Sequence, residues 1–403
     1  MNIFRPQLPY TFRPPKYTPW MAPLLLKITQ HFLLRRKFKI RAVHTEGVEQ
    51  VCALAEQGHS LLITPNHADH ADPHILHNST KDCPIHFHFM AAREGFEQSP
   101  LVASALQRMG AFSVNREGAD VASIKTAIRI IAEGKHPLVI FPEGEIYHHH
   151  ERLDELNEGV ATMLLRAADR IKDGRSCYVV PTALHYRFDP EVAETFSGRL
   201  DRIEERITWK PRPQGDVVER IYRLGSCLLA IKEEEFLGQA QEGTLVDRII
   251  NFQVRLVEMI ESKQGGKGNG ERIPIRIKIL RQKIRKLLME GEATLSDDEK
   301  WNLYDDLDTL FVAVQLYSYP GQYLREQRSN SRIAETILKL EEDILGEGTY
   351  PTSREAYVKY GTPVDVGNFL QERNLDTKSA VGPMTSFLGE AIQHLLEDLT
   401  AKS

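Results

Sequence analysis

An α/β sheet with helices on its faces, interrupted by a large all-helical insertion, is the fold class predicted by this 403-residue sequence, and three observations predict it. From residue 38 to about 188, apolar runs at 38–43, 60–65, 85–92, 111–115, 137–142 and 177–188 alternate with helical periods such as Ala119 to Ala132 and Gly159 to Ile171. After Asp189-Pro190, strand signals vanish for about 160 residues and charged helical segments take over. The strand signal then returns once, in Ala356-Tyr357-Val358-Lys359-Tyr360-Gly361-Thr362-Pro363, which reads as a last strand rejoining the sheet. The chain thus divides into an arm (1–37), an α/β core (38–189), a helical insertion (190–350) and a returning strand with a C-terminal helix (351–403).

The first twenty residues are rich in Pro and aromatics and are expected to lie extended on a surface. Met21 to Lys37 then forms a helix with many apolar residues, Trp20 before it and the cluster Arg35-Arg36-Lys37 at its end. Residues 1–45 contain no Asp or Glu but nine cations: Arg5, Arg13, Lys16, Lys27, Arg35, Arg36, Lys37, Lys39 and Arg41. The formal net charge is −5, so the remainder, with 42 basic and 56 acidic residues, carries −14. A basic, apolar arm on an acidic body fits an interfacial helix at an anionic membrane surface, where each Lys or Arg contributes about 1 kcal/mol. The alternative is a helix packed on the protein's own core. Nucleic acid is not expected as a partner, because the arm carries no recognisable binding module. Because the α/β pattern starts near Phe38, the core is expected to fold without the arm.

Hydrophobic residues at 41% and charged residues at 27% are ordinary for a globular protein. No run of 18 apolar residues occurs, so no transmembrane helix is predicted. The arm also lacks the apolar core of a secretory signal. Cys52, Cys83, Cys177 and Cys227 are far apart, which argues against a zinc ribbon or a disulfide framework and suits a reducing compartment. In the insertion, Leu245, Ile249, Phe252, Leu256 and Ile260 fall on one helical stripe, and Leu303, Leu307, Leu310, Val314 and Tyr317 on another. Residues 210–215 and 264–270 read as breaks or linkers.

The chemistry centres on Thr64-Pro65-Asn66-His67-Ala68-Asp69-His70-Ala71-Asp72-Pro73. Ser60 to Ile63 before it reads as a buried strand, and Asp72-Pro73 suits a helix start. His67 then lies in a strand-to-helix loop, five residues before a carboxylate that can hold its imidazole in one tautomer as a general base. Two other readings compete: Asp72 as a simple helix cap, and His67, His70, His74 and His77 as metal ligands. Three further stretches end strands in a similar way: Gly110 to Arg116, Val139 to Glu145, and Tyr178 to Ala183. Loops at one end of the strands of an open α/β sheet form the ligand crevice. A base, a cation and a tight turn converging there suggest transfer chemistry on an anionic substrate. Taken singly, Arg116 also suits an ion pair, Phe141-Pro142-Glu143-Gly144 an ordinary turn, and Pro181 an edge strand.

In this order the four stretches resemble the glycerolphosphate/lysophosphatidate acyltransferase family. Asn66, His67 and Asp72 match its Asn-His-x-x-x-x-Asp block, Phe112 to Arg116 its second block, Phe141 to Gly144 its Phe-Pro-Glu-Gly, and Val180-Pro181 its apolar-Pro strand. The resemblance covers roughly 38–188, and Gly361-x-Pro363 is similar to that family's closing strand. Two positions depart from the pattern. Glu145 stands where the family usually has Thr or Ser, and Glu158 where a basic residue often precedes Gly.

The resemblance implies a mixed sheet flanked by helices and an O-acyltransferase. It would move a fatty acyl group from acyl-CoA or acyl carrier protein to the hydroxyl of a glycerophospholipid precursor such as 1-acylglycerol-3-phosphate. His67 would be the base and Asp72 its orienting partner. Asn66, Arg116, Glu143, Gly144 and Pro181 would bind substrate, with Arg116 on the acceptor's phosphate. No acyl-enzyme, cofactor or metal is implied. The protein is expected as a peripheral one on the cytoplasmic face of a membrane. Two rival classes remain: a non-catalytic lipid-binding scaffold on the same core, and a metal hydrolase using the 67/70/74/77 cluster with His148 to His150.

Overall fold

The computed structural model describes residues 10–83, 85–116, 120–208, 214–265, 272–291, 294–319 and 321–402. Eight strands form one sheet: β1 (Ile40–Glu46), β2 (Ser60–Pro65), β3 (His88–Ala92), β4 (Ala111–Val114), β5 (Leu138–Val139), β6 (Cys177–Phe188), β7 (Arg354–Tyr360) and β8 (Val364–Asp365). Their order is β1-β7-β6-β2-β5-β3-β4, with β8 also beside β6. The strands from β6 to β4 run parallel, as helical crossovers require, whereas β7 and β8 run antiparallel to β6. The sheet is therefore mixed, and the returning strand lies inside it, between β1 and β6. Only two residues of the expected run 137–142 pair as β5. Past Val139 the chain leaves the sheet, Ile140 still donating its N–H to Ile63 O at 3.1 Å.

The helices that cover the sheet are α1 (Ala22–Thr29), α2 (Val48–Glu56), α3 (Asp72–Ser79), α4 (Arg93–Glu97), α5 (Pro100–Arg108), α6 (Val121–Glu133) and α7 (Glu158–Ala168). Ile128 and Ile131 of α6 and Leu164 of α7 pack with Leu62, Leu138 and Val179 of the strands, all at most 2% exposed. Each such side chain stabilises the fold by about 1.5–3 kcal/mol. Glu158 is the first residue of α7, where the helix dipole favours a carboxylate, so this departure from the family pattern suits the local structure.

The second compact unit is Glu194–Leu345, close to the expected 190–350. It comprises α8 (Val192–Thr208), α9 (Val217–Leu237), α10 (Leu245–Gln264), α11 (Ile273–Glu290), α12 (Asp297–Tyr317), α13 (Tyr323–Glu326) and α14 (Asn330–Leu345). The two expected stripes are its core: Phe252, Leu256 and Ile260 of α10 meet Leu307 and Leu310 of α12 and Ile284 of α11. The breaks at 210–215 and 264–270 lie outside the described residues, apart from Gln214-Gly215 and Gln264-Gly265. In the first unit, α15 (Val366–Arg373) and α16 (Val381–Ala401) follow the returning strand, and Met384 and Leu388 of α16 join the sheet core.

The structure changes two expectations. The core reaches further back than Phe38: Phe12 meets Phe112 edge-on at 6.4 Å, Tyr17 stacks on His86 at 4.3 Å, and Ala22 and Leu34 are buried. Residues 10–18 do run extended, Lys16 and Thr18 donating to the carbonyls of Gln107 and Arg108. Helix α1 continues as a π-helical stretch over Gln30–Lys37, ending where Phe38 N–H reaches Leu33 O at 2.8 Å. Against the expectation of no disulfide framework, Cys52 and Cys83 form a disulfide with their Cα atoms 6.0 Å apart. A spacing of 31 residues reveals nothing of this, because the contact arises only when α2 and the segment after α3 fold together. Closing a loop of that length stabilises by about 3–4 kcal/mol in the chain-entropy account.

His74 and His86 are held neutral, both pushed down to about 4 chiefly by burial, with Lys37 adding to the effect at His74 and His88 and His136 at His86. In the unfolded chain each titrates near 6.5. Their contribution is therefore intact above pH 6.5 and is lost as pH falls from 6.5 towards 4. Urea unfolding at stepped pH should show stability falling by about 1.4 kcal/mol per pH unit for each of them in that window. His86→Gln should flatten the slope.

Candidate active site

β2 ends at Pro65, and the chain leaves the sheet through Asn66. The Asn66 side chain donates from Nδ2 to Leu184 O at 3.0 Å and accepts at Oδ1 from Leu184 N at 2.7 Å. This extends the β2–β6 pairing one step beyond the last paired peptide. Both halves of the amide are engaged and the residue is buried. The structure thus places Asn66 beneath the loop, as the clamp that fixes where His67 departs.

His67 Nδ1 donates to Asp72 Oδ2 at 2.8 Å, which leaves the lone pair on Nε2. The ring lies flat on Phe141, centroids 3.8 Å apart, and its backbone N–H donates to Glu143 Oε1 at 2.6 Å. The imidazole is thus held at one nitrogen, one face and its own peptide. No Ser, Thr or Cys side chain hydrogen-bonds to it among the described residues.

Asp72 is fully buried at the first turn of α3, but it does not cap that helix; the N-cap is Ala71, with no side-chain bond. The carboxylate faces back into the loop instead. Oδ2 accepts from Ala68 N at 2.9 Å and Asp69 N at 3.0 Å as well as from His67, and Oδ1 accepts from the Tyr186 hydroxyl. The cap reading is thereby overturned. Burial and the neighbouring carboxylates keep the Tyr186 phenol well above its usual range, so it remains a donor.

A second buried carboxylate sits three residues earlier. Asp69 receives Arg354 Nη1 at 2.7 Å and Nη2 at 3.0 Å, the Tyr350 hydroxyl at 3.1 Å and Ala71 N at 2.8 Å. The Arg354 guanidinium lies over Tyr350 at 3.9 Å and Tyr186 at 4.4 Å, and its Nε donates to Phe38 O. Burial opposes charge on both partners, but the pair overcomes it: Asp69 is held below the usual carboxylate range and Arg354 above its own.

Glu143 is the third. Its other oxygen, Oε2, accepts from Asp154 N at 3.0 Å, so it ties the His67 loop to the segment before α7. Burial, and then the charge of Asp154, push it up to about 8. Gly144 follows with φ +78, a left-handed turn with open space on the side a Cβ would occupy. Its carbonyl accepts from Arg116 Nη1 at 2.8 Å, and the same nitrogen meets Glu145 Oε2 at 2.6 Å. Glu94 lies 3.5 Å from Nη2. Pro181 is buried in β6, opposite Thr64 of β2, where β6 passes from β8 to β7 as its antiparallel neighbour. A residue without an N–H suits that junction, and its carbonyl accepts from Gly361 N at 2.8 Å.

His67, His74 and His77 have separate surroundings: Asp72, Phe38, and His86 with Phe89. The 67/70/74/77 cluster of the rival metal reading therefore does not assemble. A different set could hold an ion: His150 and His185, whose Nε2 atoms each lie 3.9 Å from Glu151 Oε1. Sequence reading missed Tyr186, Asp69, Tyr350 and Arg354. Asp69 lies within the organising stretch, but nothing local marks a partner 285 residues away.

The site is thus a His–Asp pair in a strand-to-helix loop, beside a Phe-Pro-Glu-Gly turn tied to an arginine, which defines an acyl-transfer type of site. Residues 19–185 match the Acyltransferase family model, so this part of the chain is similar to an acyltransferase domain. No curated protein matches the chain significantly.

His67→Ala should lower acyl transfer by roughly 10²–10⁴ with unchanged thermal unfolding, the usual effect of losing a general base. Normal turnover in that variant would exclude His67 as the base. Arg354→Met should destabilise by about 3–5 kcal/mol, because Asp69 then stays buried without its counter-charge. Combining it with Asp69→Asn should recover part of that loss in urea unfolding. Strict additivity of the two changes would mean that the pair is not coupled.

Proposed function

We propose that the protein transfers a fatty acyl group from a thioester donor, acyl-CoA or acyl carrier protein, to a hydroxyl of a glycerophospholipid precursor, 1-acylglycerol-3-phosphate above all. The observation that carries this reading is the His67 imidazole fixed on Asp72 with Nε2 as its acceptor nitrogen. The acceptor hydroxyl gives its proton to Nε2 as its oxygen attacks the thioester carbonyl. The C–S bond then breaks, and the departing thiolate takes the proton back. Asp72 steadies the imidazolium between these steps, itself held by Tyr186 and two loop amides. Transfer is direct, with no protein acyl intermediate. Arg116 and the Gly144 turn form the acceptor side, while Asn66, Glu143 and Pro181 position the loop that carries the base.

One observation favours a second acceptor class. Arg116 is engaged by Glu145 and faces Glu94, so a phosphate monoester would meet two carboxylates as well as one cation. A less anionic acceptor, such as a headgroup-bearing lysophospholipid or a free alcohol, would not. An acyl-transfer assay on the purified chain with a panel of acceptors separates the two. If lysophosphatidate is the acceptor, Glu145→Thr keeps or raises transfer to it, and Arg116→Ala raises the acceptor KM more than the donor KM. A large loss in Glu145→Thr, with activity on neutral acceptors, would assign the site to the second class.

The arm supports delivery of the site to a membrane. Trp20, Leu24, Ile28 and Phe32, spaced by four, are 71%, 55%, 48% and 51% exposed, with Arg35, Arg36 and Lys37 beyond them. Among the described residues no helix is long and apolar enough to cross a bilayer, so the contact proposed is peripheral. Because the arm is also part of the core, point changes test it better than truncation. Leu24→Glu with Ile28→Glu should reduce co-sedimentation with anionic vesicles several-fold while leaving thermal unfolding unchanged. Undiminished pelleting would return the arm to a purely structural role.

A further inference from the structure

We propose that the exposed face of α11 in the helical unit is a second docking surface, and that its occupant is an anionic lipid bilayer. Helix α11 reads Ile-Pro-Ile-Arg-Ile-Lys-Ile-Leu-Arg-Gln-Lys-Ile-Arg-Lys-Leu-Leu-Met-Glu. Six cations, Arg276, Lys278, Arg281, Lys283, Arg285 and Lys286, precede its first carboxylate, Glu290, in a chain whose overall charge is −5. The inward face is accounted for by Ile277, Leu280 and Ile284, which pack on α10 and α12.

A helix that covers a core needs only that face. On the opposite side Ile275, Ile279 and Met289 are 46%, 48% and 75% exposed, with Leu287 at 40% on the flank. At 100° per residue, Ile275, Ile279, Gln282, Lys286 and Met289 share an arc of about 80°. Lys278 lies just outside one edge of that arc and Lys283 just outside the other. The other large apolar side chains exposed in this unit, among its described residues, are Ile231, Ile250, Trp301 and Leu345, each on a different helix. Only on α11 do they form a stripe.

The charges are not all equivalent. Arg276 is bound to Glu261 at 2.7 and 2.8 Å, and its charge is compensated there. Lys278 and Lys283 border the apolar stripe and Lys286 lies within it; Lys283 also donates to the Gln264 carbonyl and Lys286 lies 3.7 Å from Glu290, and their long stems let ammonium groups stay at headgroup level while the apolar side chains sink below. An apolar stripe with cations beside and within it is what an anionic bilayer surface complements, since burial and surface charge act together. The other candidates fit less well. A second copy of the chain would bring two cationic borders together, and a nucleic-acid backbone would meet isoleucines at the centre of the contact.

The proposal does not rest on the transferase reading, since binding is measured without turnover. The experiment uses the full chain carrying Leu24→Glu and Ile28→Glu, so that the arm does not mask the second contact. It follows co-sedimentation with phosphatidylcholine vesicles with and without phosphatidylglycerol. The parent should bind the anionic vesicles and lose them as salt rises. Lys278→Gln/Lys283→Gln/Lys286→Gln should weaken that binding about a hundredfold. Ile275→Ser/Ile279→Ser/Met289→Ser should weaken it comparably, and both sets should keep the parent's helical circular dichroism and unfolding midpoint. Equal pelleting of parent and both variant sets would overturn the proposal. So would a parent dimer that either set converts to monomer, or tighter retention on duplex RNA than on the vesicles.

Discussion

The buried ion pair between Asp69 and Arg354 is the interaction on which the rest of the site depends. Asp69 belongs to the same loop as His67 and Asp72, and without a counter-charge its carboxylate would have to leave the interior or take up a proton. Arg354 enters from the first residue of β7, which places it beside Tyr186, the donor to Asp72. The loop is therefore held from both flanks of β2. On one flank β6 supplies Leu184 and Tyr186, and β7 beyond it supplies Arg354. On the other, the chain leaving β5 supplies Phe141 and Glu143. The imidazole is rigid because each of these neighbours is itself fixed by a strand or a tight turn.

The same arrangement explains what could be read from the residues. Apolar alternation located nearly every strand, and the helical stripes of the insertion reappeared as its core, because side-chain period follows directly from burial on one face. The four blocks were legible because each is local: a strand, its turn and one reactive side chain. The partners of those side chains were not, since Tyr186, Arg354 and Tyr350 reach the loop only through the order of strands in the sheet. Asp72 is a case in point. Its sequence setting suits a cap, yet the carboxylate is drawn backwards by His67, two loop amides and a phenol that the local pattern does not contain. The Cys52–Cys83 disulfide escaped for the same reason.

Electrostatics separate the two sides of the site. The side behind His67 is buried and acidic, with Asp69, Asp72 and Glu143 held by named donors. The side at Arg116 is half-open, and its cation shares Glu145 and Glu94. A buried carboxylate with donors on both oxygens serves geometry, whereas a partly exposed cation shared by carboxylates can exchange partners with a ligand. The extra acid at 145 thus lies on the Arg116 side and leaves the surroundings of His67 untouched.

Because Arg354 follows Asp69 by 285 residues, the loop that carries His67 cannot be locked until those residues have been synthesised. At ribosomal rates of about 5–20 residues per second, the arginine emerges roughly 15–60 s after its partner. The parallel strands β2 to β6 are complete well before then, with an acidic loop still lacking its cation. The nascent chain thus carries a loop that lacks its buried counter-charge until β7 follows the helical insertion.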